Sequence, residues 1–175
     1  MDFGNLKGRI AEALVENIFN LAGYRVARIG RESHVGRLVK EGADEFLPDF
    51  LAWKRAKGRD GESELHRLVP VEVKYRADLA EFLRRDGAEK FTAAKQQWPQ
   101  LYFVLVTAHP DDGRSCFQAV SLRDYAPETE PTTIDLHQLG LGIWPGLVDE
   151  HALVAQRLFS MLVPERVWDE RRGVS

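Results

Sequence analysis

Cysteine is nearly absent: Cys116 is the only one in 175 residues. That excludes an internal disulfide and a zinc site built on cysteines, and it fits a reducing cytoplasm. No apolar run approaches the roughly 18 residues a bilayer span requires, and the opening MDFGNLKGR lacks a hydrophobic stretch of the secretory kind. A cytoplasmic protein with no membrane partner is therefore expected. Excess charge is lacking too, since 24 basic against 27 acidic residues leaves −3, which argues against coating nucleic acid by charge alone. The five histidines (His34, His66, His109, His137, His151) include no pair at helical ligand spacing. There is no G-x-S-x-G elbow, and Cys116, set in an apolar strand, reads as packing. Gly140-Leu141-Gly142 and Gly146 complete no phosphate loop and read as turns. Neither internal repeats nor low-complexity tracts occur.

What remains is an ordinary globular composition, 44% apolar and 29% charged, at a length that suits one domain with a modest extension. Charge is unevenly spread. Lys7 to Lys40 holds seven basic and three acidic residues, a balance of +4, whereas Asp124 to Gln156 holds six acids and no Lys or Arg, a balance of −6. One end is thus suited to an anionic partner and the other is not.

Periodicity predicts the elements. Ile10, Leu14, Ile18 and Leu21 share one face of a helix over 6–22, with Gly23 as its stop. Tyr24 to Ile29 alternates as a strand; Gly30 to Glu45 reads as a long polar loop, with or without a short hairpin; Leu47 to Trp53 is a second strand. Lys54 to Glu64 reads as a charged turn, and His66 to Arg76 as an apolar strand with two charges set into it. A helix over 79–97, broken near Asp86-Gly87, precedes the continuous apolar run Leu101 to Thr107, the mark of a strand covered on both faces. Ser115 to Leu122 follows as an antiparallel partner, and a Pro- and Gly-rich tail leads to a helix over 147–162. The order α-β-β-β-α-β-β predicts an α/β fold, a three-layer sandwich around a mixed sheet. Residues 1–125 are read as its core, and 126–175 as an extension packed on the core or in a dimer interface.

The chemistry concentrates in Val69-Pro70-Val71-Glu72-Val73-Lys74-Tyr75. Strand alternation places Val71, Val73 and Tyr75 on one face and Glu72 with Lys74 on the other. A carboxylate and an ammonium in an apolar strand are costly to bury unless they are paired or bound to something. The plain alternative is a surface ion pair. Asp49 sits in a second apolar strand and is equally expensive there without a counter-ion. If the two strands are neighbours, Asp49 and Glu72 converge beside Lys74, and a hard divalent cation relieves their repulsion.

Pro48-Asp49, then 22 residues, then Glu72-Val73-Lys74 resembles the PD-(D/E)xK signature of the restriction-endonuclease-like nucleases. The resemblance spans about Leu6 to Leu122 and implies an α-β-β-β-α-β core. Gly8-Arg9-Ile10-Ala11-Glu12 is similar to the start of Holliday-junction resolvases, in which a glutamate follows a glycine by four. Glu16 competes with Glu12; with Ile10 at zero, Glu12 falls near about 200° and Glu16 near about 240° around the helix, outside an apolar arc of roughly 0–180°. Glu12 is therefore expected to border the site and Glu16 to meet water. The resemblance implies that Asp49, Glu72 and the Val73 carbonyl bind Mg²⁺, with Mn²⁺ able to substitute, and that Glu12 completes or orients that shell. Lys74 would position the attacking water and stabilise the transition state, or act as a base if its proton affinity is lowered. The implied reaction is hydrolysis of DNA phosphodiesters to a 5′-phosphate and a 3′-hydroxyl.

Lys95 and Gln96, on the helix after the third strand, are candidate nucleic-acid contacts, as are Arg31, Arg37 and Lys40 in the long loop. Two other readings compete: a catalytically silent nuclease-like fold serving as a nucleic-acid-binding or protein-interaction module, and an α/β scaffold with a small-molecule site. A homodimer is expected, because duplex cleavage needs two cuts and Leu139, Leu141, Ile143, Trp144 and Leu147 are apolar residues to bury.

Overall fold

Helix α1 spans Phe3–Leu21 and ends as its sequence requires. Gly23 takes a positive φ of 87°, and the Tyr24 amide turns back to the Phe19 carbonyl at 3.0 Å, a glycine-terminated C-cap. Strand β1 (Arg25–Arg28) follows, then β2 (Phe50–Lys57) and β3 (Glu64–Tyr75). The computed structural model describes residues 3–29, 46–57 and 64–162, so the long loop that carries Arg31, Arg37 and Lys40 lies outside the described residues. Helix α2 (Leu79–Phe82) is capped by the Asp78 carboxylate, which accepts from the Glu81 amide at 2.8 Å. It passes through a π-helical turn (Leu83–Gly87) into α3 (Ala88–Gln97). The break expected at Asp86-Gly87 is thus a widened turn within a continuing helix. Strands β4 (Tyr102–Val106), β5 (Phe117–Ser121) and the short β6 (Ile134–Asp135) lead through a 3₁₀ turn (Leu136–Leu139) to α4 (Pro145–Met161).

The strands form one sheet in chain order, β1 to β6. Among the described strands only β3 and β4 pair in parallel; the other neighbours are antiparallel. The crossover between β3 and β4 is made by α2 and α3, since a parallel connection needs a long excursion. The sheet is therefore mixed, and the fold is an α/β sandwich. Strand β4 shows why its sequence is apolar throughout. Val104 and Val106 join a cluster with Ala11, Val15, Ile18 and Phe19 of α1 and Val148, Ala155 and Phe159 of α4. Phe103 and Leu105 join the opposite cluster with Phe82, Phe91 and Ala94 of α2 and α3.

Two sequence expectations change. Lys54 to Glu64 is not simply a turn, because β2 continues to Lys57 and β3 already begins at Glu64, paired from Lys57↔Glu64 onward. A hairpin arm satisfies its backbone across the strands, so its side chains need not be apolar. The apolar tail residues are also used differently from the expectation of a dimer. Leu141, Ile143 and Leu147 are buried within the chain's own core and Leu139 packs partly against it, leaving Trp144, 51% exposed, as the one exposed residue of the five. No helix among the described residues is long and apolar enough to cross a membrane.

Candidate active site

Phe50 anchors the site from below. Its ring meets Phe19 of α1 edge-on at 5.6 Å between centroids, and Phe19 meets Tyr24 at 5.2 Å, so the start of β2 is pinned to α1. The β2–β3 ladder pairs Phe50 with Val71; continued one step, the same register sets Asp49 opposite Glu72. Directly opposite residues share a face with Cβ atoms about 4.5–5.5 Å apart.

Asp49 is held from two sides. Its carbonyl accepts from the Ile29 amide at 3.0 Å, and its Oδ2 accepts from the Val73 amide at 2.7 Å. β2 starts at Phe50 while β3 runs on to Tyr75, so the Val73 amide has no β2 carbonyl beside it. The Asp49 carboxylate takes the place of that missing strand. Glu72 is 4% exposed. Its Oε1 pairs with the Lys74 ammonium, while its Oε2 is buried and, among the described residues, has no hydrogen-bond partner.

Electrostatics follow from this burial. Burial first, and then the facing Asp49 charge, lift the Glu72 carboxyl to about 7 against the opposing pull of Lys74. Asp49 is also raised, by burial first, against the Val73 amide and the Lys74 charge. For Lys74 burial favours loss of the proton, but the attraction of Glu72, with Asp49 adding to it, outweighs that and leaves its proton more tightly held than usual. Two facing carboxylates can share only a proton or a cation. The donors available here, two carboxylates and a main-chain carbonyl, are all hard oxygens of the kind Mg²⁺ takes, often with substrate phosphate and water completing its shell.

Glu12 does not join them. Among the described residues no three His, Cys, Asp or Glu side chains are grouped to hold a metal; Glu12 instead faces the Arg28 guanidinium at 3.6 Å. Glu16, expected to meet water, is the closer partner, taking Arg28 Nη2 at 2.5 Å and Nε at 2.7 Å. Arg28 in turn draws the Asp49 carboxyl down by its charge. The sequence reading overlooked Arg28, although its place at the end of a strand beginning near Gly23 was legible; what was missing was the register that brings Arg28 opposite Phe50.

Lys95, read as a phosphate contact, donates to the Tyr125 carbonyl at 2.5 Å and ties α3 to the segment after β5. Gln96 is exposed. Their neighbour Gln97 accepts from the Phe46 amide at 2.8 Å, and the Trp98 indole donates to the Phe46 carbonyl at 2.8 Å, so the end of α3 steadies the segment leading into Asp49. Cys116 is buried, which pushes its thiol up and away from a nucleophilic state. No family model and no curated protein matches the chain.

Proposed function

We propose that this protein is a metal-dependent nuclease that hydrolyses phosphodiester bonds in DNA, with Asp49, Glu72 and Lys74 as its catalytic residues and a restriction-endonuclease-like core. The observation that carries the reading is the Glu72 Oε2: a buried carboxylate oxygen that meets no hydrogen-bond partner among the described residues, facing a second carboxylate and flanked by an ammonium. A purely structural ion pair has no reason to leave that atom unanswered. The order α1-β1-β2-β3-α2/α3-β4 supports the family resemblance of Asp49, Glu72 and Lys74.

Asp49, Glu72 and the Val73 carbonyl would hold Mg²⁺, which when bound supplies an activated water and neutralises charge on the phosphate. The chain's own residues do the rest. The Val73 amide fixes the Asp49 carboxylate in place. Lys74, whose proton is held by the two acids, acts as a cation that orients the attacking water and stabilises charge gathering on the phosphate oxygens, and not as the base. Glu72 must be ionised to bind the metal, so activity rises through neutral pH. Burial against β3, β4 and the helices keeps the acid pair away from bulk water on one side, while Lys74, 33% exposed, marks the open side.

The test is incubation with plasmid, branched and single-stranded DNA in Mg²⁺ or Mn²⁺, repeated with Asp49→Asn, Glu72→Gln and Lys74→Ala. Cleavage lost in all three variants, with circular dichroism unchanged, supports the enzyme. A binding module is favoured only by the Asp49–Val73 bond, which serves the fold with or without catalysis; DNA binding without cleavage in any metal would establish that alternative.

A further inference from the structure

Arg76, one residue past the end of β3, continues the line of charge that passes through Glu72 and Lys74. Strand alternation puts all three on one side, and the Arg76 amide extends the ladder by donating to the Val106 carbonyl at 2.9 Å. Side-chain contacts agree. The Arg76 guanidinium lies 4.5 Å over the centre of the Phe82 ring. Phe82 belongs to the cluster of Phe103 and Leu105, the β4 residues that pair with Glu72 and Lys74. At about 3.3 Å per residue, Arg76 follows Lys74 by roughly 6.6 Å along the chain, on the side away from Glu72.

The guanidinium is held in a set orientation. Phe82, itself 3% exposed, backs one face of it, and the Tyr75 carbonyl accepts from Nη1 at 2.7 Å. Burial disfavours its charge and Asp86 offsets part of that, while the Lys74 ammonium feels Arg76 as a like charge. Arginine cannot shed its proton to relieve either cost. Among the described residues Arg76 is in no ion pair, although Arg28, Lys74, Arg85 and Arg114 each have one. A planar fork of donors, tethered through one of them, is shaped to take two oxygens of a phosphate at once.

We propose that Arg76 is the phosphate clamp of this site: its guanidinium binds the phosphate adjoining the cleaved one in the DNA strand, on the side beyond Lys74. This rests on the nuclease reading and names how its substrate is gripped. Lys74 serves the reacting phosphate and its water, whereas Arg76 holds a neighbour that does not react. It therefore binds ground state and transition state alike, and its loss falls on KM more than on kcat.

The experiment compares wild type, Arg76→Ala, Arg76→Gln and Arg76→Lys on fluorescein-labelled duplex DNA, with Ca²⁺ for binding and Mg²⁺ for cleavage. Arg76→Ala is expected to weaken binding by about ten- to a hundredfold, the scale of a charged hydrogen-bonded pair. The salt slope of binding should fall by about one. Arg76→Lys keeps the charge without the fork, so the slope stays and binding weakens by a smaller factor. A neutral methylphosphonate, placed in turn at each phosphate flanking the mapped cut, should at one of them weaken wild type and leave Arg76→Ala unchanged. Arg76→Gln, which keeps the reach across Phe82, makes the same comparison where Arg76→Ala proves unfolded by circular dichroism. A methylphosphonate penalty of equal size in wild type and variant would mean a packing role and overturn the proposal. Binding and KM unchanged in the neutral variants overturn it too, and both results leave the nuclease standing. A wild type that cuts no DNA in any metal ends both readings together.

Discussion

Two polar clusters interrupt the apolar interior, and they are built on opposite plans. At the β5–β6 end, Arg114 donates to Asp135 Oδ1 at 2.9 Å, to Gln118 Oε1 at 3.0 Å and to the Thr133 carbonyl at 3.0 Å. Thr133 in turn donates to Gln118 at 2.5 Å, and the Gln118 amide returns to the Ser115 carbonyl at 3.2 Å. Every member answers another, and the cluster closes on itself. The Asp49–Glu72–Lys74 cluster belongs to the same sheet, yet among the described residues it leaves Glu72 Oε2 buried and unbonded. A closed network fixes a fold; one with an unanswered charge is prepared for something that arrives later.

The contrast breaks if the two clusters respond alike to substitution. Lys74→Ala and Glu72→Gln are expected to lower DNA cleavage by roughly 10²–10³-fold, the scale of losing one charge stabiliser. Arg114→Ala should leave cleavage per folded molecule near wild type. Equal losses in a plasmid-nicking assay normalised to folded protein would erase the distinction.

The pH dependence of stability is next in size. Glu72 is raised from 4.5 in the unfolded chain to about 7 in the fold, so the folded state binds its proton more tightly. Its stabilising contribution is complete below pH about 4.5 and is lost as pH rises through about 7. Wild type should therefore fall relative to Glu72→Gln by roughly 2–4 kcal/mol across that window, read from urea unfolding of both proteins. Mg²⁺ should restore the loss, raising Tm more above pH about 7 than below pH about 5. A difference that stays flat with pH would show that Glu72 is not the strained acid.

Stability effects at the closed cluster are smaller. Arg114→Ala should cost about 1–3 kcal/mol by leaving Asp135 and Gln118 without their donor, measured as a shift in the denaturation midpoint. Smallest of all is Arg28→Ala: its guanidinium is 49% exposed, and exposed pairs contribute within about 1 kcal/mol. A loss well beyond that would make Arg28 a structural keystone and move it to the closed category.

Local pattern made much of this legible. The helices α1 and α4, the two-sided apolar run of β4 and the stop at Gly23 depend on neighbours three or four positions away, and the structure keeps them, although the expected α1 face is shifted: Leu21 is 55% exposed and the buried side runs through Ala11, Val15, Ile18 and Phe19. The Lys54 to Glu64 segment misled, since a hairpin arm outside the core leaves no apolar trace. Lys95 misled because a basic helix residue looks the same whether it faces a phosphate or, as here, the Tyr125 carbonyl. Helix angle alone separates Glu12 from Glu16, and angle says nothing of Arg28, which engages both.

By itself, the sequence determined most of the strands and helices, and that two acids and a lysine fall within or beside two strands, Glu72 and Lys74 inside β3 and Asp49 just ahead of β2. Only the tertiary structure decided that Asp49 stands opposite Glu72, that the Val73 amide holds Asp49, and that Lys74 keeps its proton. The physical reason is range: periodicity is settled within a few residues, whereas register, burial and charge state are set by partners more than twenty residues away, brought together when β2 and β3 pair.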